Sequence, residues 1–224
     1  MILVAVAGLL LTAAGETIVG ADGWAAAALH ARASPGATTA FRLVTELGST
    51  TVLVLVTVVG AGYLARLGRR GDAALVITAL VGAEALTWSL KALFRRERPT
   101  FGDPVATAGS FSYPSGHALV SLAVYGALAY VLLRGRRSAR ARAVVAGCVA
   151  LGVAAIGFSR LYLGVHYLSD VLAGYAVGFA LLLLVTTFAW GRPAGARGAL
   201  LTGARDRPEL CVGGRVRPLV ASRR

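Results

Sequence analysis

Six stretches of this chain are apolar for long enough to cross a bilayer: residues 2–20, 50–67, 73–94, 117–134, 143–162 and 167–190. Crossing about 30 Å of hydrocarbon takes roughly 20 helical residues, so the spacing predicts an all-α fold, a polytopic membrane helix bundle of about six transmembrane helices. Composition agrees, because 57% of the 224 residues are hydrophobic and only 15% are charged, with a mean hydropathy of +0.71, too apolar for an ordinary soluble domain. The first stretch is the weakest, since Glu16 interrupts it and no basic residue precedes it. A cleaved signal peptide competes with a retained span there, and the missing positive n-region argues against it.

Three segments follow from this pattern. Residues 1–49 are expected to hold the first span and an outer loop, with a short helix from Ala37 to Leu47 at the interface, where Arg42 and Glu46 stand at i,i+4. Residues 50–190 form a core of five spans. Residues 191–224 read as a basic, aperiodic cytoplasmic tail rich in Gly, Pro and Arg, most simply a positive-inside anchor.

The net charge of +13 does not point to nucleic acid, since the basic residues sit in short clusters between apolar runs rather than along one soluble face. Their distribution instead sets the topology. Arg66, Arg69 and Arg70, then Arg134, Arg136, Arg137, Arg140 and Arg142, then eight arginines after Trp190 put sixteen of the 23 basic residues on one side, predicted to be the cytoplasm. The end of the third span, the start of the fourth, the end of the fifth and the start of the sixth then emerge together on the extracytoplasmic face.

At those four ends lie the chemically distinctive residues. Lys91, the chain's one lysine, is followed by Arg98 and Pro99; Pro114-Ser115-Gly116-His117 leads into the fourth span; Ser159-Arg160 ends the fifth; and His166 and Asp170 open the sixth. His166 and Asp170, four apart, are expected on one helical face, with the carboxylate fixing the imidazole tautomer so that its other nitrogen can attack phosphorus. The Pro-Ser-Gly turn is expected to cap a helix whose amides and dipole favour an anion, while His117 can protonate a leaving oxygen. Lys91 and Arg98 share a face if the helix continues between them, and with Arg160 they could neutralise a phosphoryl group in flight. Arg95 and Arg96 read as snorkelling interfacial cations. Glu84 and Trp88 lie on the Lys91 side of the third span, and Glu84 is either functional or an interhelical contact. Cys148 and Cys211 are poorly placed to meet, so neither a disulfide nor a metal site is expected.

The spacing Lys-x6-Arg-Pro, Pro-Ser-Gly-His and Ser-Arg-x5-His-x3-Asp resembles the signature of the type 2 phosphatidic acid phosphatase superfamily, in its bacterial membrane branch, over roughly residues 50–190. All eleven specified positions match. The resemblance implies a phosphohistidine on His166 oriented by Asp170, His117 as general acid, and Lys91, Arg98, Ser115, Gly116 and Arg160 as the phosphate cradle, with no metal and no cofactor. It further implies a lipid phosphate substrate such as phosphatidic acid, phosphatidylglycerol phosphate or a prenyl pyrophosphate, among which no residue chooses. Oligomeric state is left open. The rival reading is a catalytically silent protein that binds or translocates lipid phosphates; the two intact histidines argue against it, because binding alone needs no general acid.

Overall fold

The structure, a computed structural model, describes residues 15–100, 109–134 and 138–190. Seven helices and no strand occur among the described residues: α1 (Gly15–His30), α2 (Pro35–Glu46), α3 (Thr50–Arg66), α4 (Arg70–Phe94), α5 (Gly116–Leu133), α6 (Ala139–Tyr162) and α7 (Leu168–Trp190). The fold is therefore all-α, and α3 to α7 coincide closely with five of the predicted spans. Residues 1–14, 101–108, 135–137 and 191–224 lie outside the described residues, and with them most of the first predicted span and the basic tail.

Four helices are individually long and apolar enough to cross a membrane, and α2 with α3 makes a fifth if that pair, bent by 40°, counts as one span. Their outer faces carry large exposed apolar side chains, among them Val58, Val81, Leu151, Phe179 and Phe188. In water such a belt would drive aggregation; in a bilayer, lipid covers it. The protein is a multi-pass membrane protein.

α5 is the central helix, with Leu119, Val120, Ala123, Val124, Ala127 and Val131 all buried. One apolar cluster joins it to Leu53 of α3, Leu80, Ala83 and Leu90 of α4 and Val177 and Leu181 of α7. A second, toward the other end, packs Ala127 and Val131 on Ala61 and Leu64 of α3 and Leu75, Val76 and Ala79 of α4. α7 approaches α5 closely at Gly174 and Gly178, where an added Cβ would come 2.7 Å from the Ser115 carbonyl oxygen and 2.6 Å from that of Leu119. Such small-residue contacts are how helices pack tightly where lipid offers no hydrophobic drive.

Two departures from the sequence expectation bear on function. α1 runs on to His30 through residues expected to be loop, which buries Asp22. α2 forms close to the predicted bounds, but it packs on the end of α6, with the Phe41 ring tilted against Tyr162 at 4.5 Å and Phe158 at 5.4 Å. At the opposite end Asp72 binds Arg69 (2.8 Å) and Arg134 (2.7 Å), and Arg69 also donates to the Val131 carbonyl near the end of α5. The basic residues Arg66, Arg69 and Arg134 thus gather at one end of the bundle and the sequence motifs at the other.

Candidate active site

α4 stops because Arg95 adopts the left-handed conformation (φ 46°, ψ 34°) and Pro99 follows shortly. The chain turns back, so the helix does not continue from Lys91 to Arg98, and the condition for their sharing a helical face is not met. Both cations reach one site by another route: Lys91 Nζ binds Ser110 Oγ (3.3 Å) and the Phe111 carbonyl, while Arg98 donates to the Ser110 carbonyl (2.7 Å), to Ser110 Oγ (3.4 Å) and to the Val165 carbonyl (2.5 Å). The third cation, Arg160, is buried in the last turn of α6 and donates to Thr45 Oγ1 of α2 (2.9 Å).

His166 is not on a helix. It lies in the turn before α7, and Asp170 sits in that helix's first turn. The two still meet, because Asp170 Oδ2 accepts the Tyr167 backbone N–H (2.9 Å), half of a capping box, and so folds back to 3.4 Å from His166 Nδ1. Ser112 donates to the same oxygen and lies 3.4 Å from Nδ1. On the far edge of the ring, Arg98 is 3.2 Å from Nε2. A guanidinium has only donors, so Nε2 presents its lone pair and the ring proton belongs on Nδ1, facing Asp170. Burial is the main force that pulls the His166 pKa down to about 4, opposed by the bond to Asp170 and helped by Arg98 and Arg160. The ring is neutral near pH 7.

A cavity of about 210 Å³ opens between these groups, lined by Lys91, Arg98, Arg160, His117 and His166, with Gly116 at its wall. The N-terminus of α5 thus meets the cavity and adds its dipole to the three cations. A Cβ on Gly116 would press within 3.0 Å of Thr87 Cγ2, so the glycine also lets α5 start this close to α4. Ser115 occupies the N-cap position, but its hydroxyl does not cap the helix as the sequence suggested; it is buried with no hydrogen-bond partner, as is Arg160 Nε. Two orphaned buried donors beside a cationic cavity suit an oxyanion's oxygens. Glu84 lines the same cavity and accepts from Thr50 Oγ1 (3.0 Å), an interhelical contact.

All eight sequence-predicted site residues therefore gather at one end of the bundle: six line the cavity, with Ser115 and Asp170 just behind it. Arg96 corrects the snorkelling reading. It turns inward, binding Asp170 Oδ1 (2.7 Å) and Asp22 Oδ2 (2.8 Å). Arg95 is exposed and donates to the Ala92 carbonyl at its own helix end. Sequence reasoning missed Asp22, Thr45, Ser110 and Ser112; the one signal for Asp22 was a second carboxylate, after Glu16, in a mostly apolar segment. Among the described residues no group of His, Cys, Asp and Glu could hold a metal ion.

An all-helical membrane bundle whose helix ends surround a cationic, histidine-bearing cavity defines a membrane phosphatase class, and similarity to known proteins identifies the family. Residues 72–194 match the model of the PAP2 superfamily. The chain is 34% identical over 151 residues to phosphatidylglycerophosphatase B of Bacillus subtilis (strain 168), covering 65% of this chain and 71% of that protein. It is 34% identical over 113 residues to decaprenylphosphoryl-5-phosphoribose phosphatase of Mycobacterium tuberculosis (strain CDC 1551 / Oshkosh), covering 49% of this chain and 57% of the other. Its fold is similar to the crystal structure of a transmembrane PAP2 type phosphatidylglycerolphosphate phosphatase from Bacillus subtilis, with a TM-score of 0.78 and 28% identity over 86% of this chain and 96% of that one. The chain belongs to the PAP2 superfamily and is an integral membrane lipid phosphatase.

Proposed function

We propose that His166 is the nucleophile, Asp170 its orienting acid and His117 the general acid, with Lys91, Arg98, Arg160, Ser115, Gly116 and the α5 N-terminus as the phosphate cradle. The observation that carries this reading is the His166 ring itself: neutral, with Nδ1 toward Asp170 and a lone pair on Nε2 beside the cation-lined cavity. Nε2 attacks phosphorus, forming a P–N bond as the P–O bond to the lipid breaks, and His117 gives its proton to the leaving oxygen. His117 then takes a proton from water, which attacks the phosphohistidine and releases inorganic phosphate. The three cations offset charge on the equatorial oxygens throughout. Arg98, 3.2 Å from Nε2, is drawn onto the phosphate when substrate enters.

No divalent ion takes part in this scheme. The substrate is the terminal phosphate of an amphiphilic lipid, phosphatidic acid, phosphatidylglycerol phosphate or a prenyl pyrophosphate, with the tail lateral to the bundle. The relatives' names favour a glycerol or sugar hydroxyl as the leaving group. We place the site on the extracytoplasmic face, supported by the gathering of basic residues at the other end, with the tail after residue 190 in the cytoplasm. Release of phosphate from a short-chain phosphatidic acid in detergent, with chelator present, tests the reading. Binding without release would favour the silent binder.

A further inference from the structure

α7 begins at Leu168 with Tyr167 before it, a residue whose side chain cannot cap the first-turn amides. The cap comes from elsewhere in the chain. Asp22 of α1, 2% exposed, accepts the Ser169 backbone N–H at Oδ1 (2.8 Å) and the Ser169 hydroxyl at Oδ2 (2.5 Å). The same Oδ2 receives Arg96 (2.8 Å), whose other terminal nitrogen donates to Ser169 Oγ (2.7 Å) and to Asp170 Oδ1 (2.7 Å). The guanidinium carbon lies over the Tyr167 ring, 4.2 Å from its centroid. Arg96 is thus held on three sides, by two carboxylates and an aromatic face.

The arrangement divides the Asp170 carboxylate. Arg96 occupies Oδ1, leaving Oδ2 for Ser112, the Tyr167 amide and the His166 ring. A carboxylate free to rotate would exchange its oxygens and release the ring. Asp22 fixes the rotation indirectly, by pinning the far side of Arg96 and the first turn of α7 together. Neither Asp22 nor Arg96 lines the cavity, so neither touches the reacting atoms. Asp22 also lies fifty residues before the segment 72–194 that matches the family model.

We propose that Asp22 and Arg96 are positioning residues for the Asp170–His166 pair, so that the N-terminal helix α1, outside the matched family segment, completes the active site. The inference rests on the reading of His166 as nucleophile. It makes the N-terminal helix a working part of the enzyme rather than an added anchor, because a helix one carboxylate away from the nucleophile's partner transmits any displacement to the attacking nitrogen. Arginine is required at position 96 for its fork, since one planar group must reach two acids and a hydroxyl at once.

The test uses the full chain in detergent, with a short-chain phosphatidic acid as substrate and vanadate as a probe of the cradle. Asp22→Ala and Arg96→Ala are expected to lower kcat by about ten- to a hundredfold, the size of effect that a small misplacement produces, with KM and vanadate affinity within about twofold of the parent. Arg96→Lys, which keeps the charge, should recover part of the loss. In the double variant the losses should not add, because both residues act through one contact chain. If Asp22→Ala does not fold, Asp22→Asn keeps the Ser169 N–H acceptor while losing the ion pair with Arg96, and the same kcat loss is expected. Parent-like kcat in Asp22→Asn and Arg96→Ala, a loss confined to KM, or full additivity would each overturn the proposal. His166→Ala run in parallel separates the two failures: activity in that variant would sink the nucleophile assignment, whereas a dead His166→Ala beside parent-like Asp22 and Arg96 variants would sink this inference alone.

Discussion

A methyl group added to Gly174 would come 2.7 Å from the carbonyl oxygen of Ser115, so the helix that carries Asp170 rests directly on the residue that opens α5. Ser115 N–H in turn donates to the Asp170 carbonyl (3.0 Å), closing the contact from the other side. The two halves of the site are set against each other by backbone, not by long side chains. Precision in the site therefore depends on a residue that takes no part in chemistry.

Gly174→Ala is accordingly expected to push α7 away from α5, destabilising the protein by about 1–3 kcal/mol, the usual cost of overpacking, and lowering kcat. Gly62→Ala, where nothing lies within 4 Å of the new methyl, is the control. Thermal unfolding in detergent and phosphate release should separate the two variants. Equal behaviour would mean that α5 and α7 yield more easily than their spacing suggests.

His166→Ala should abolish turnover while vanadate still binds, because Lys91, Arg98 and Arg160 keep their contacts with Ser110, Phe111 and Thr45 without the ring. Asp170→Asn leaves the attacking atom in place but removes the charge that favours the proton on Nδ1. A fall of about 10⁴-fold in kcat is the scale seen when a histidine's orienting acid is neutralised. Single-turnover phosphate release distinguishes a slow first step from slow hydrolysis of the phosphoenzyme.

The pH response follows from the direction of the His166 shift. Its pKa in the fold, about 4, lies below the ordinary 6.5, chiefly because burial penalises the charged ring. A group depressed on folding stabilises the native state above its unfolded pKa, and that contribution is lost as pH falls from about 6.5 through about 4. Thermal stability should therefore decline across that window, and less so in His166→Ala. The nucleophile itself stays unprotonated down to about pH 4, so an acid limb of kcat/KM near 6.5 would have to come from another group.

Activity should persist in EDTA and fall with vanadate, whose trigonal-bipyramidal form can take the place of the transferring phosphoryl among the same donors. Loss of activity on chelation, restored by a divalent cation, would replace the proposed chemistry with a metal-assisted one.

How much of this was legible from sequence differs by the range of the interaction involved. The spans from Thr50 to Trp190 were readable because hydropathy is local, and the clustering of Lys91, Arg98, His117, Arg160 and His166 followed from topology once the spans alternated. The reasons for the clustering were not. Helical spacing suggested that His166 and Asp170 share a helix face, yet their approach comes from the fold-back of an N-terminal cap at Tyr167. Lys91 and Arg98 meet through a left-handed turn at Arg95 that no local propensity favours. Arg96 and Asp22 pair across 74 residues, and a single arginine beside Arg95 gave no sign that one of the two turns inward. Such pairings are decided by which buried polar groups remain to be satisfied after the helices have packed, a tertiary quantity.

Sidedness decides which leaflet's lipids the enzyme can reach, and it rests on the gathering of Arg66, Arg69, Arg70, Arg134, Arg140 and Arg142 opposite the cavity. Gly109, exposed and with open space around it, lies beside Ser110 at the site end, while Arg140 is exposed in the first turn of α6 at the other. With Cys148 and Cys211 changed to serine, Gly109→Cys should react with an impermeant thiol reagent in intact cells, and Arg140→Cys only after permeabilisation. The reverse pattern would put the cavity in the cytoplasm, where the available substrates are newly made lipid phosphates rather than outward-facing or recycled ones. The catalytic assignment would survive that result, because His166, Asp170 and the three cations form the same site whichever way the bundle is inserted.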